Sequence, residues 1–316
     1  MKTIILAGGF ATRLWPLTEK TAKPLLRIGG KPIISFLIES LPPEIPVIVS
    51  TNAVFASDFE LWKTSFPQRD ITVFSEDSHG EQKKTGALAA VALVISSFSI
   101  REDVLVLAGD NLFFFPMETF LARADQHPLL AAYDIGTKEE AKKFGVLVPK
   151  NESVVAKFQE KPENPESTLV STGCLFFPKH LLSEILQFSK QNNDNLGGIF
   201  EHFLHTGEQV EYFSFQEPWF DIGSFSALLE AHRHIVGKRV IDAGAKQQGE
   251  NIFRGSVFLA EGSVVHNAIL ENAIIESGAV IRNANIRNSV IGKNATVTGV
   301  DLSGIALREE SFLSKE

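Results

Sequence analysis

The chain of 316 residues contains a single cysteine, Cys174, which excludes an internal disulfide. That cysteine stands in the apolar run Gly173-Cys174-Leu175-Phe176-Phe177, where a small buried hydrophobe is expected. No stretch reaches the roughly 18 consecutive apolar residues of a membrane span. The apolar run at the start is too short for a signal peptide, so the expected compartment is the cytoplasm, with no membrane partner. Positive charge is also scarce. Lys and Arg number 30 against 38 Asp and Glu, for a net charge of −8. This argues against a nucleic-acid partner, whose binders usually carry a basic face. Neither the Walker pattern G-x-x-x-x-G-K-[ST] nor the dinucleotide pattern G-x-G-x-x-G occurs.

Apolar residues make up 44% of the chain, enough for a sizeable core, and the length exceeds one average domain. The first part alternates short apolar runs with helical patterns. Strands are expected at Thr3–Ala7, Val47–Thr51, Ile71–Ser75 and Val104–Ala108, with helices at Ile33–Leu41 and Thr85–Phe98. That alternation predicts an α/β fold with a largely parallel sheet, whose ligands bind beyond the carboxyl ends of the strands. From about 144 to 220 the pattern turns to strands and turns, followed by a closing helix at Phe225–Val236.

The tail keeps a different period. From Gln248 it can be written in rows of 16, with Leu259, Ile275, Ile291 and Leu307 in one column. Val265, Ile281, Val297 and Leu313 form a second column, and Leu270, Ile286 and Leu302 a third. Three apolar strides per row, with small residues and Gly or Asn at the corners, predict a stacked parallel β-helix. The expected domains are therefore 1–236 and 248–316.

The densest chemistry lies near the start. The strand opens into Gly8-Gly9-Phe10-Ala11-Thr12-Arg13-Leu14-Trp15-Pro16-Leu17-Thr18, followed by Lys23-Pro24. A Gly-rich loop after a strand brings backbone N–H groups to phosphate oxygens, and Arg13 and Lys23 add two cations. Two acids stand at the ends of apolar runs: Asp110 in Gly109-Asp110-Asn111, and Asp221 in Trp219-Phe220-Asp221-Ile222-Gly223-Ser224. Read alone, Asp110 could equally cap the next turn, and Asp221 the following helix. Glu160-Lys161-Pro162 could be a charged surface turn, and Gln82 part of a solvated loop.

Taken together, these segments resemble the sugar-1-phosphate nucleotidyltransferases, or NDP-sugar pyrophosphorylases. The resemblance rests on Leu-Ala-Gly-Gly-x-x-Thr-Arg-Leu-x-Pro-Leu-Thr, Lys-Pro, Gly-Asp-Asn, Glu-Lys-Pro and Trp-x-Asp-Ile-Gly-Ser, in that order. It implies a Rossmann-like mixed sheet followed by a short left-handed β-helix of hexapeptide-like repeats. It also implies that Leu6, Ala7, Gly8, Gly9, Thr12, Gln82, Thr85 and Gly86 contact the nucleotide. Arg13, Lys23 and Lys161 would act on the phosphates, Gly145, Glu160 and Thr172 on the sugar, and Asp110 and Asp221 would hold Mg²⁺. Two positions depart from the family pattern: Ala11 replaces the usual third loop glycine, and Ala22 the usual proline before the lysine.

The implied reaction joins an NTP and a sugar 1-phosphate to give an NDP-sugar and pyrophosphate. Glucose 1-phosphate with dTTP or UTP is the favoured pair, and mannose 1-phosphate with GTP the alternative, since Trp15 in Arg-Leu-Trp-Pro-Leu is similar to the guanylyltransferases. Two other classes compete: a non-catalytic regulatory subunit that binds nucleotide sugar, and acyl transfer by the β-helix. The tail holds one histidine, His266, more in keeping with a corner residue than a catalytic base. A homo-oligomer is expected, with the tail serving assembly or regulation.

Overall fold

A computed structural model describes residues 1–77 and 85–315 of the chain. By compactness the chain divides into two units. The first is Met1–Gly9 with Phe36–Asp221, and the second is Phe10–Ser35 with Ile222–Glu316.

The first unit is built on a mixed sheet. Its centre is the parallel set Val104–Ala108, Lys2–Leu6, Val47–Asn52 and Ile71–Glu76, side by side in that order. Strands with parallel neighbours are covered on both faces, which is why they read as continuous apolar runs. All six residues of Val47–Asn52 are buried. The helix Ala87–Ser97 covers the sheet, placing Leu88, Val91, Val94 and Ile95 in one cluster with Ile4, Ile48 and Val106. Those helix positions recur at the three- and four-residue spacing of a single face. Beyond Val104–Ala108 the sheet turns antiparallel through Leu169–Phe177, which then pairs with Gly145–Pro149 and Leu129–Asp134. Cys174 lies fully buried in that strand, and burial pushes its thiol well above the usual range.

The second unit contains the β-helix. Its strands pair in parallel at the offset of the rows. Val265 pairs with Ile281, Ile281 with Val297, and Val297 with Leu313. Ile275 pairs with Ile291 and Ile291 with Leu307, while Leu270 pairs with Ile286 and Ile286 with Leu302. The three columns of the sequence thus become the aliphatic interior, which also buries Ala279 and Ala295. Asparagines turn the corners. Asn267, Asn272, Asn283 and Asn288 have φ between 45° and 48°, a left-handed conformation that Asn tolerates better than other side chains. Successive coils link these amides, with Asn272 Nδ2 donating to Asn288 Oδ1 at 3.2 Å. Pairing begins before the repeat is visible: Val240 pairs with Val257 and Lys246 with Val264, offsets that break the row length.

The segment Phe10–Ser35 belongs to this same unit. Arg308 donates to Glu19 at 2.8 Å, and Lys20 lies 2.5 Å from Glu309. Gly30 stands against Phe258 so closely that a Cβ there would lie 2.6 Å from the ring. Removing the chain beyond residue 240 takes away each of these partners. The truncated protein is therefore expected to lose turnover as well as any assembly, because Phe10–Ser35 carries both Arg13 and Lys23. Unchanged kinetics in a truncated protein would show that the segment keeps its conformation without the β-helix.

Candidate active site

In the first unit, a cavity of about 180 Å³ opens at the carboxyl end of the first strand. It is lined by Leu6, Gly8 and Gly9 from that strand and its loop, and by Thr85 and Gly86 at the start of the helix Ala87–Ser97. Five residues expected to contact nucleotide are thus gathered in one place. Ala7, also expected there, is 2% exposed and hydrogen-bonded in the sheet, its N–H donating to the Ser50 carbonyl at 2.7 Å. Gln82 lies outside the described residues.

Two further groups that no motif marks also line this cavity, Glu76 and Asp194. Asp194 Oδ1 accepts from the N–H of Ala87 at 3.3 Å, and the Asn193 carbonyl accepts from Ala89 at 2.9 Å. The loop at 193–194 therefore supplies acceptors for the first N–H groups of the helix, whose cap residue Gly86 has no side chain to do so. Gly86 has φ 89°, and a Cβ on it would lie 2.6 Å from the Asn193 carbonyl oxygen, a backbone atom that cannot step aside. Gly86→Ala is expected to push this loop away and weaken nucleotide binding at least tenfold, about 1.4 kcal/mol. Titration calorimetry would measure it, and unchanged affinity would remove Gly86 from the site.

The two aspartates are brought together by a short antiparallel pair. Trp219–Asp221 pairs with Asn111–Phe113, Asp221 lying opposite Asn111, next to Asp110. A hydrogen-bonded chain fixes the corner: Trp219 Nε1 donates to Asn111 Oδ1 at 2.7 Å, and Asn111 Nδ2 donates to Asp110 Oδ1 at 2.8 Å. Asn111 is buried, and the Trp219 ring packs on Phe144 and Tyr133. The cap of the helix that follows is Ser224, whose Oγ accepts from the N–H of Ala227 at 3.2 Å. Asp221 is thus not the helix cap.

Of the residues expected to meet the sugar, Glu160 ends the strand Val155–Glu160, directly opposite Gly145. A side chain on Gly145 would strike Phe158, and one on Gly197 would strike the Glu160 carboxylate, so the two glycines make room for these groups. Gly197 carries no signal in the sequence beyond its pairing with Gly198. Burial pushes the Glu160 carboxyl above the usual range, and Lys161, whose Nζ is 3.7 Å away, opposes the shift. Lys161 itself is exposed, with φ 43°. Thr172, also expected to meet the sugar, is 2% exposed and its hydroxyl donates to the Ala131 carbonyl at 3.0 Å.

Thr12, Arg13 and Lys23 lie in the second unit. Thr12 and Arg13 are exposed on the short helix Thr12–Leu14, and Lys23 opens the short helix Lys23–Leu25. Ala11, at the position of the family's glycine, has φ 48° and ψ 44°. A left-handed alanine costs roughly 1–2 kcal/mol. Its carbonyl accepts from Thr18 Oγ1 at 2.8 Å and from the N–H of Leu14 at 2.9 Å, contacts that hold the loop in this shape.

An α/β sheet with a Gly-rich loop at its first strand end, followed by a β-helix, defines the class. Residues 2–238 match the nucleotidyl transferase family, and the chain belongs to it. It is 31% identical over 271 residues to the bifunctional protein GlmU of Methanocaldococcus jannaschii, covering 84% of this chain and 61% of that protein. It is 26% identical over 254 residues to a glucose-1-phosphate adenylyltransferase of Clostridium acetobutylicum, covering 74% and 66%. The chain thus spans less than two thirds of the length of these relatives. In fold it is similar to a Bacillus anthracis chain described as a glucose-1-phosphate thymidylyltransferase and solved with sucrose. There the TM-score is 0.65 at 24% identity, over 73% of this chain and 94% of that one.

Proposed function

We propose that the protein transfers a nucleotidyl group from an NTP to a sugar 1-phosphate, releasing pyrophosphate. The observation that carries this reading is the corner at Asn111, where Asp110 and Asp221 become neighbours at the carboxyl edge of the sheet. Two adjacent carboxylates repel unless a cation lies with them. Among the described residues no group of three or more His, Cys, Asp or Glu could hold a metal ion. Two hard oxygen donors suit Mg²⁺, which takes few carboxylates and completes its shell with water and phosphate. Asp110 and Asp221 would hold it, and its chemistry there would be to neutralise charge on the nucleotide phosphates.

The chain's own residues do the rest by position and charge. A sugar phosphate oxygen attacks the α-phosphorus in line, with no covalent enzyme intermediate. Arg13 grips the triphosphate and Lys23 stabilises charge at the α-phosphate. Lys161 orients the incoming phosphate, and Glu160 accepts from sugar hydroxyls. Membership of the family and the Gly-rich loop after the first strand support these roles.

The resemblance favours glucose 1-phosphate with dTTP or UTP. A second reading, GTP with mannose 1-phosphate, is favoured by the acid in the cavity wall, Glu76. The deciding measurement is pyrophosphate release with Mg²⁺ across five NTPs and a panel of sugar 1-phosphates. Release with one pair names the reaction. A folded protein that binds nucleotide but releases no pyrophosphate with any pair would point to a regulatory binding subunit.

No described helix is long and apolar enough to cross a membrane.

A further inference from the structure

Glu76 has no part in the phosphate transfer itself, yet it is 4% exposed and lies in the wall of the cavity beside Gly8. An acid at that depth is costly unless hydrogen-bonded. The fold provides for it. Fully buried Ser50, on the neighbouring strand, donates its hydroxyl to Glu76 Oε1 at 2.8 Å. Gly8 lets the carboxylate reach the backbone: a Cβ on Gly8 would lie 2.9 Å from Oε1. Asn52, pairing with Glu76 across the sheet, donates to the Gly8 carbonyl at 3.0 Å. The acid and the loop glycine are thus held against each other.

The cavity's other walls show what the acid faces. The described residues lining it include no Lys or Arg, and its charged side chains there are the acids Glu76 and Asp194. Its volume of about 180 Å³ is below the ~300–1,000 Å³ typical of a whole ligand, so it takes one part of one. The apolar atoms of Leu6, Ala87 and Ala90 suit the flat part of a nucleotide, its base.

A carboxylate only accepts, and its two oxygens offer about four lone-pair sites, so the bond from Ser50 leaves acceptor capacity. Guanine alone presents two adjacent donors, the ring N1–H and the exocyclic amino group, spaced to meet both oxygens. Uracil and thymine present one N–H between two carbonyls, which a carboxylate repels. Adenine and cytosine present an amino group beside a bare ring nitrogen.

We infer that Glu76 is the specificity-determining residue of the nucleotide site and selects a guanine nucleotide. This rests on the proposed nucleotidyl transfer and names its base.

The test is titration calorimetry of the full chain with GTP, ITP, UTP, dTTP and ATP, without sugar phosphate. ITP keeps N1–H but lacks the exocyclic amino group, so it probes the contact in the unaltered protein. GTP is expected to bind at least about tenfold more tightly than ITP, and about a hundredfold more tightly than UTP or dTTP. Glu76→Gln, checked for folding by circular dichroism, is expected to reverse the order. Its amide offers one acceptor to N3–H and one donor to a flanking carbonyl, which suits UTP. GTP no tighter than UTP or ITP in the unaltered protein would overturn the assignment, as would an unchanged order in folded Glu76→Gln. Failure of every nucleotide to bind would overturn nucleotidyl transfer itself, whereas binding without guanine preference overturns only the choice of base.

Discussion

Asp110→Ala is expected to lower turnover by ~10²–10³, about 3–4 kcal/mol of lost transition-state stabilisation, in a protein that stays folded. Asp110 is half-buried just beyond the strand Val104–Ala108, and its Oδ1 accepts from the side-chain amide of Asn111. Its loss therefore removes negative charge from the corner without opening a cavity. Asp221→Ala should fall as far, since the two carboxylates act on one cation, and the double variant should fall little further than either single one. Lys23→Ala should also lose at least this much, by removing positive charge beside the reacting phosphate. Asn111→Ala is expected to cost less, because it frees Asp110 to move without removing its charge. Steady-state kinetics with circular dichroism on each variant would settle the matter. Near-normal turnover in Asp110→Ala, Asp221→Ala and Lys23→Ala alike would sink the assignment.

The second large effect concerns stability. His232 is 0% exposed on the helix Phe225–Val236, and its Nδ1 accepts from the N–H of Gly29 at 3.4 Å. Burial lowers its pKa from 6.5 to about 4, and the neighbouring charge of Arg233 acts in the same direction. Between these values the unfolded chain takes up a proton that the folded one refuses. Stability from this group is thus fully present above pH 6.5 and is lost as pH falls toward 4. A shift of this size corresponds to about 3 kcal/mol. Urea unfolding followed by circular dichroism at pH 7.5 and 4.5 should show the loss in the unaltered protein and a smaller one in His232→Gln. An equal loss in both would place the pH dependence elsewhere. Because Gly29 lies in the same unit as Arg13 and Lys23, acid should impair that segment together with the β-helix.

Much of the fold was legible because the fold repeats. Each coil of the β-helix returns the chain to the same environment, so Ile275, Ile291 and Leu307 must all be apolar, and a fixed period results. The central strands were legible for a similar reason, being covered on both faces and so rich in apolar residues. The strand Leu129–Asp134 and the helix Ala56–Lys63 escaped notice. A short apolar run such as Leu129-Leu130-Ala131-Ala132 fits strand or helix equally. Ala56–Lys63 buries only Phe59 and Trp62, too few positions to show a period.

By itself the sequence determined the two architectures, the columns of the β-helix and the segments at the strand ends where ligands are expected. Those features are local or periodic, and such constraints are written in neighbouring residues. Only the tertiary structure decided that Glu76 stands against Gly8, that Trp219 steers Asn111 onto Asp110, and that Ser224 rather than Asp221 caps its helix. The structure alone also placed Phe10–Ser35 with the β-helix. Each of these depends on segments far apart in the chain meeting through hydrogen bonds and close packing, and such meetings impose no spacing that a sequence can display.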